Sequence, residues 1–283
     1  MPSATVVGQA LVSGLLMGGL YGLLALGLSL SWGLLRLVNL GYFAIAFLGA
    51  YLVYQMHVGW HLAPWWAAAL VVPLFFCLGV AQHWVFLRFR VSELASLLVT
   101  FGFSVIVESG LQWYWTADYR RLETEYASAS LRIGPLYVPV LDLAACVAAA
   151  VLAWGTWAWL RWTYVGKALR ASAEDPDIAA AYGVDHKRLS YLLSGVCASY
   201  AGVAGAFIAL ISTLAPSQVW AWLGVVFAVV IIGRVGNPLG ALVAGLLIGA
   251  SESVAMAFMS PAWAPVISFS ALIALLLWEP DWL

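Results

Sequence analysis

Charge is what this chain has least of. Only 9% of its 283 residues are Asp, Glu, Lys or Arg, and the formal net charge is -1. No basic block could track a phosphate backbone, which excludes nucleic acid as a partner. Cysteine is scarce as well: Cys77, Cys146 and Cys197 each lie within an apolar run, without ligand-like spacing to one another or to histidine, so they read as packing residues. Motifs for chemistry are missing. Gly166-Lys167 is followed by Ala168 and lacks the glycine-rich cradle of a phosphate loop, while Ser-x-x-Lys, Gly-x-Ser-x-Gly and His-Glu-x-x-His do not occur. His57, His61, His83 and His186 fall at expected membrane interfaces rather than in a metal-binding pattern. No catalytic residue and no metal ligand is therefore expected. No charged segment precedes the first apolar run and no small-residue cleavage site follows it, so the N-terminus reads as a retained span.

What fills the chain is hydrocarbon. Hydrophobic residues make up 64% of it and the mean hydropathy is +0.97, outside the range of soluble domains. Crossing about 30 Å of hydrocarbon takes roughly 20 helical residues. Apolar runs of that order lie near 6–31, 39–57, 65–87, 94–115, 139–161, 189–212, 219–233, 239–259 and 263–279. The expectation is an all-α polytopic membrane protein with eight or nine transmembrane helices in one domain over residues 1–283. The run at 219–233 is short, and 31–43 is interrupted by Trp32, Gly33, Arg36, Asn39 and Gly41, so both are candidates for broken or re-entrant helices. The segments Gly33 to Gly41 and Gly233 to Gly240 both place Arg three residues before Asn amid glycines, which reads either as an inverted repeat or as coincidence between ordinary loop ends.

Two stripes of small residues, Gly14, Gly18, Gly22 and Ala241, Gly245, Gly249, Ser253, recur every four positions and mark bundle contacts. Trp60, Trp65, Trp66, Trp113, Trp115, Trp220, Trp222 and Trp263 are expected at one level, as an aromatic belt at the outer face. Two acids fall within spans. Glu252 lies near the midplane and Glu108 farther out, and an ionisable group at such depth costs on the order of 3 kcal/mol unless it meets a cavity or a partner.

The one long polar stretch is 162–188. Asp175 suits a helix N-cap, Pro176 the first helical position and Gly183 the position past the end, so 176–182 reads as a short terminated helix with Ile178, Ala181 and Tyr182 on one face. Lys167 to Ala173 forms another turn or two, and Asp175-Pro176 sets an elbow between them. With this loop inside, alternating crossings put nine of the twelve Lys and Arg residues on the cytoplasmic side, leaving Arg120, Arg121 and Arg132 in an outer loop at 116–138.

The elbow sequence, Gly166, Ala168, Leu169, Arg170, Ala171, Ala173, Asp175, Pro176, Ala179, Gly183 and Val184, resembles the cytoplasmic coupling loop of ABC-importer permeases of the branched-chain amino-acid family. Gly19 to Gly33, Asn39, Gly49-Ala50-Tyr51, Thr100 to Ser104, Ala198 to Ala206, Gly233 to Gly245 and Glu252 resemble further landmarks of that family, over nearly the whole chain. The resemblance implies a pore subunit in a bacterial inner membrane. It implies a second related permease, two ATP-binding subunits that carry ATP and Mg, and a periplasmic substrate-binding protein. No cofactor is implied in this chain, and its only other partner is membrane lipid. Gly166, Arg170, Asp175, Pro176, Ile178, Tyr182 and Gly183 would couple to the ATPases; Asn39, Tyr42, Phe43, Glu108 and Glu252 would line the substrate pathway. Cargo would be branched-chain amino acids or related small organic acids or amides. Where the family usually has Phe-Ala-His-Gly-Glu after Asn39, this chain has Leu40, Gly41, Tyr42, Phe43 and Ala44, which shifts the expectation toward an aromatic or hydrophobic carboxylate. A secondary transporter or channel using Glu252 or Glu108 as an ion or proton site stays open as the alternative, as does a membrane scaffold.

Overall fold

The computed structural model describes residues 3–124, 129–260 and 263–278, so Glu125 of the expected outer loop lies outside the described residues. They form α1 (Ala4–Leu35), α2 (Gly41–Trp60), α3 (Pro64–Arg88), α4 (Glu93–Trp115), α5 (Val140–Trp162), α6 (Tyr164–Glu174), α7 (Pro176–Ala181), α8 (His186–Ile211), α9 (Leu223–Ile232), α10 (Pro238–Met256) and α11 (Ala264–Trp278). Seven of these, α1 to α5, α8 and α10, are long and apolar enough to cross a membrane. The remaining two apolar runs form shorter helices, α9 of 10 residues and α11 of 15. At about 15 Å, α9 cannot cross the hydrocarbon alone. It follows a 3₁₀ turn at Pro216–Trp220, so the 219–233 run is an interrupted span.

The helix starts are written locally. Ser92 accepts from the Ala95 amide at α4, Asp185 from the Arg188 amide at α8, and Asn237 from the Gly240 amide at α10, where Pro238 takes the first position. The glycine stripes turn out to be each other's partners. Gly14 lies against Gly249 and Ser253, Gly18 against Gly245, and Gly22 against Leu242, so α1 and α10 run antiparallel with their backbones in contact. A Cβ on Gly245 would come within 2.6 Å of the Gly22 nitrogen and 2.7 Å of the Gly18 carbonyl oxygen. Around this pair α2, α3, α5, α8 and α9 enclose one large core that includes Leu24, Phe47, Phe75, Ala201 and Val229.

The cations sort to the two ends as expected. Arg36 bonds to α6, Arg161 and Arg170 share a cavity with Gly236, and Arg88, Arg90 and Lys187 share another with Leu35. Arg120 sits at the far end over Tyr54, pairing its backbone with Leu214, and Arg132 lies over Tyr137. That far end carries an element missing from the sequence expectation, an antiparallel hairpin of Ser130–Ile133 and Leu136–Pro139. The side-chain amide of Gln9 in α1 grips its edge, donating to the Tyr137 carbonyl at 2.8 Å and accepting from the Tyr137 amide at 2.9 Å.

The tryptophan belt divides. Trp60, Trp65, Trp66, Trp113 and Trp263 are exposed, whereas Trp115, Trp220 and Trp222 pack against the core. Trp115 donates to Gln55 and Trp220 to Glu108, because an indole carried inward must find an acceptor for its N–H.

Candidate functional site

The polar segment folds as the elbow its residues dictate. Thr163 caps α6 by accepting from the Gly166 amide, and Gly166 packs on the Trp159 and Leu160 backbone so closely that no side chain fits. Asp175 Oδ1 accepts from the Asp177 and Ile178 amides, both at 3.0 Å, and starts α7. Gly183 ends it with φ +84°, while the Val184 amide reaches the Ala179 carbonyl and the Gly183 amide that of Ala180, a Schellman closure. Leu169 and Ala179 turn inward and are buried. Ile178 and Tyr182 turn outward, 59% and 86% exposed. The elbow thus presents an apolar ridge on a rigid turn, with Arg170 exposed beside it.

Beneath the elbow the segments Gly33 to Gly41 and Gly233 to Gly240 meet. α1 continues to Leu35, two residues past Gly33, then Arg36 takes a left-handed conformation at φ 54° and the chain stays non-helical to Leu40. Arg234 does the same at φ 64°, and Gly33 rests on the Gly236 backbone. Buried backbone that leaves helical pairing needs other partners. Four buried hydroxyls supply them. Thr100 Oγ1 accepts from the Leu40 amide at 3.1 Å, and Ser104 Oγ lies 3.2 Å from the Leu40 carbonyl. Ser31 Oγ donates to the Leu37 carbonyl at 3.1 Å, and Ser29 Oγ accepts from the Gly236 amide at 2.9 Å. Asn39 pairs with Gln82 on α3, donating at 3.1 Å. Removing the hydroxyl in Thr100→Val leaves a buried amide without its acceptor, at a cost of about 1 to 3 kcal/mol. The thermal unfolding midpoint in detergent is expected to fall by several degrees, and an unchanged midpoint would show that Thr100 does not hold the break.

One break is bonded to the elbow and the other faces it. Arg36 Nη2 donates to the Ala173 carbonyl at 2.9 Å. Arg170 and Arg161 line a cavity of about 530 Å³ with Gly236, Asn237 and Pro238. A shift of α6 therefore acts directly on the Arg36 break and faces the Gly236 break across a solvent-sized gap.

The acids lie elsewhere. Glu252 is 4% exposed at the junction of α1, α10 and α11, where Tyr21 donates to one carboxyl oxygen at 3.1 Å and Ser268 to the other. Two hydroxyl donors meet the requirement that a group at this depth be paired. Glu108 accepts from Trp220 Nε1 at 2.7 Å, which fixes the 3₁₀ turn ahead of α9 onto α4. Asn39, Glu108 and Glu252 thus occupy three separate places.

Tyr42 and Phe43 lie within the core of this structure. Each is 1% exposed; Tyr42 lies against Gly27 and Phe43 stacks on Phe227 at 6.4 Å. Large rings at these positions fill the space between α1, α2 and α9. Gln82 was absent from the sequence expectation, while Ser29 and Ser31 stood within the Gly19 to Gly33 landmark. Thr100 and Ser104 stood within a quoted landmark, and their spacing of four inside an apolar helix is the signal that points to a polar partner on that face.

Interrupted apolar helices joined to a capped polar elbow at one end place the chain among multi-pass helical membrane proteins. Residues 10–276 match the family described as branched-chain amino acid transport system / permease component, and the chain belongs to that family. It is 23% identical to the high-affinity branched-chain amino acid transport system permease protein LivH of Escherichia coli strain K12, covering 96% of this chain and 93% of that protein. It is 20% identical to the permease protein BraD of Pseudomonas aeruginosa, over 96% and 94%. A probable branched-chain amino acid transport permease of Methanocaldococcus jannaschii is 34% identical over 128 residues, 42% of this chain and 40% of that one. No solved structure matches the chain.

Proposed function

We propose that this permease is the pore subunit of a binding-protein-dependent ABC importer in a bacterial inner membrane. It works with a second related permease, two ATP-binding subunits on the elbow side and a periplasmic binding protein on the hairpin side. The observation that carries this is the elbow: a capped, terminated helix with Ile178 and Tyr182 outward is a ridge shaped for a partner's groove, and it is bonded through Arg36 to a break in the first span. ATP-driven closure of the partners moves α6 and α7, and the breaks at Arg36 to Leu40 and Gly233 to Asn237 take up the displacement. Alternating access follows from two arrangements of the helices joined by those breaks. Of the residues assigned to the pathway, Asn39 and Glu108 stand beside interrupted segments, and Glu252, paired to two hydroxyls, holds three helices together. Tyr42 and Phe43 act through packing.

Cargo is proposed to be branched-chain amino acids or related small organic acids or amides. The burial of Tyr42 and Phe43 removes the reason for preferring an aromatic solute. The test is uptake of leucine, isoleucine and valine into vesicles holding the assembled importer. ATP on the elbow side is expected to be required. Uptake driven by a proton gradient through this chain without ATPase subunits would replace the proposal with a secondary transporter.

A further inference from the structure

At the elbow end, between the C-terminus of α3, the N-terminus of α8 and the Arg36 break, lies a cavity of about 540 Å³. Its lining includes Arg88, Arg90, His186, Lys187 and His83, and no acidic residue. His83 is 4% exposed, and neither of its ring nitrogens has a hydrogen-bond partner. An unpaired imidazole in a buried site costs on the order of 1 to 3 kcal/mol, so this one is set to receive a polar group. Asp185, whose carboxylate caps α8 and pairs with Arg188, lies outside the lining and offsets the positive end of that helix.

A second hollow shares Trp84 and Tyr191 with the first and is lined further by Phe76, Cys77, Val80 and Ala81. It is apolar throughout. These α3 positions fall on one face, and from Arg88 back to Phe76 the helix rises about 18 Å, a little more than half the hydrocarbon thickness. A basic cavity at the surface thus adjoins an apolar groove running along α3 toward the bilayer midplane. We infer that this pair of hollows binds an anionic phospholipid, its phosphate among Arg88, Arg90, Lys187 and His83 and an acyl chain along Phe76, Val80 and Trp84. A soluble anion would leave the groove unused, and a zwitterionic lipid would leave the cationic cluster uncompensated.

The test is native mass spectrometry of the full-length chain after detergent extraction from vesicles of equal phosphatidylglycerol and phosphatidylcholine. Phosphatidylglycerol is expected to stay bound in preference. Replacing both exposed arginines in Arg88→Gln/Arg90→Gln is expected to lower its retention by about tenfold or more, with the elution volume in size-exclusion chromatography unchanged. Ala81→Trp, which fills the groove and leaves every cation in place, is expected to lower it likewise, whereas Arg121→Gln at the opposite end should leave it unchanged. Equal retention of the two lipids, or undiminished phosphatidylglycerol in either site variant, would overturn the inference. So would loss of ATPase copurification in the double variant with lipid retention intact, since the cavity would then belong to a protein partner.

Discussion

Uptake driven by ATP is expected to vanish when Ile178 and Tyr182 are both replaced by aspartate, while the chain still inserts and folds. Both side chains point away from the bundle, so nothing in the fold depends on them. In a partner's groove, each would bury enough apolar surface to contribute about 1.5 to 3 kcal/mol. Two carboxylates in their place forfeit that burial and add the cost of desolvating charge. A combined loss of at least about 3 kcal/mol weakens docking on the order of a hundredfold. Copurification of the ATP-binding subunits and uptake into vesicles should therefore fail together, with association of the periplasmic binding protein retained. Unimpaired ATP-driven uptake by the double variant would remove the elbow from the coupling pathway.

The second large effect concerns the contact between α1 and α10. A methyl group added in Gly245→Ala meets the Gly22 nitrogen and the Gly18 carbonyl oxygen, both backbone atoms, at distances no real Cβ adopts. A flexible side chain could move aside, but two helix backbones can only separate. Separation opens the seam along Gly14, Gly18 and Gly249 as well, so the cost should exceed the usual 1 to 3 kcal/mol of overpacking. Against a total stability on the order of 10 kcal/mol, the yield of monodisperse protein in size-exclusion chromatography should drop severely. Gly155→Ala is the matched comparison, since a Cβ there meets nothing within 4 Å. Equal yields from the two variants would show that the seam tolerates widening.

How much of this could be read beforehand depended on distance along the chain. The elbow was legible because Asp175, Pro176 and Gly183 act on their immediate neighbours, and the cap, the turn and the outward ridge all follow from a dozen residues. The interruptions at 31–43 and 219–233 were legible as lapses in apolar runs, although α1 carries Trp32 and Gly33 in helical form and breaks only at Arg36. Both glycine stripes were visible, but their mutual pairing was not, for periodicity gives a face and says nothing of which helix meets it. The same limit applies to Tyr42 and Phe43. Whether a ring lines a cavity or fills a core is decided by Gly27 and Phe227, far off in sequence. The hairpin was missed although Gly134-Pro135 is a turn signal, because two four-residue strands give too little alternation to stand out among apolar spans.

One helix is fastened at both ends. Gln9 clamps the outer hairpin to the first turns of α1, and Arg36, just beyond its last turn, grips the carbonyl of Ala173 in the elbow. At 32 residues, α1 is about 48 Å long and unbroken, so it behaves as a stiff rod spanning the molecule. A displacement of the hairpin is carried along one helix as far as Leu35 and reaches the elbow through the Arg36 side chain. The hairpin end and the elbow end of the molecule are thus joined by a single continuous helix.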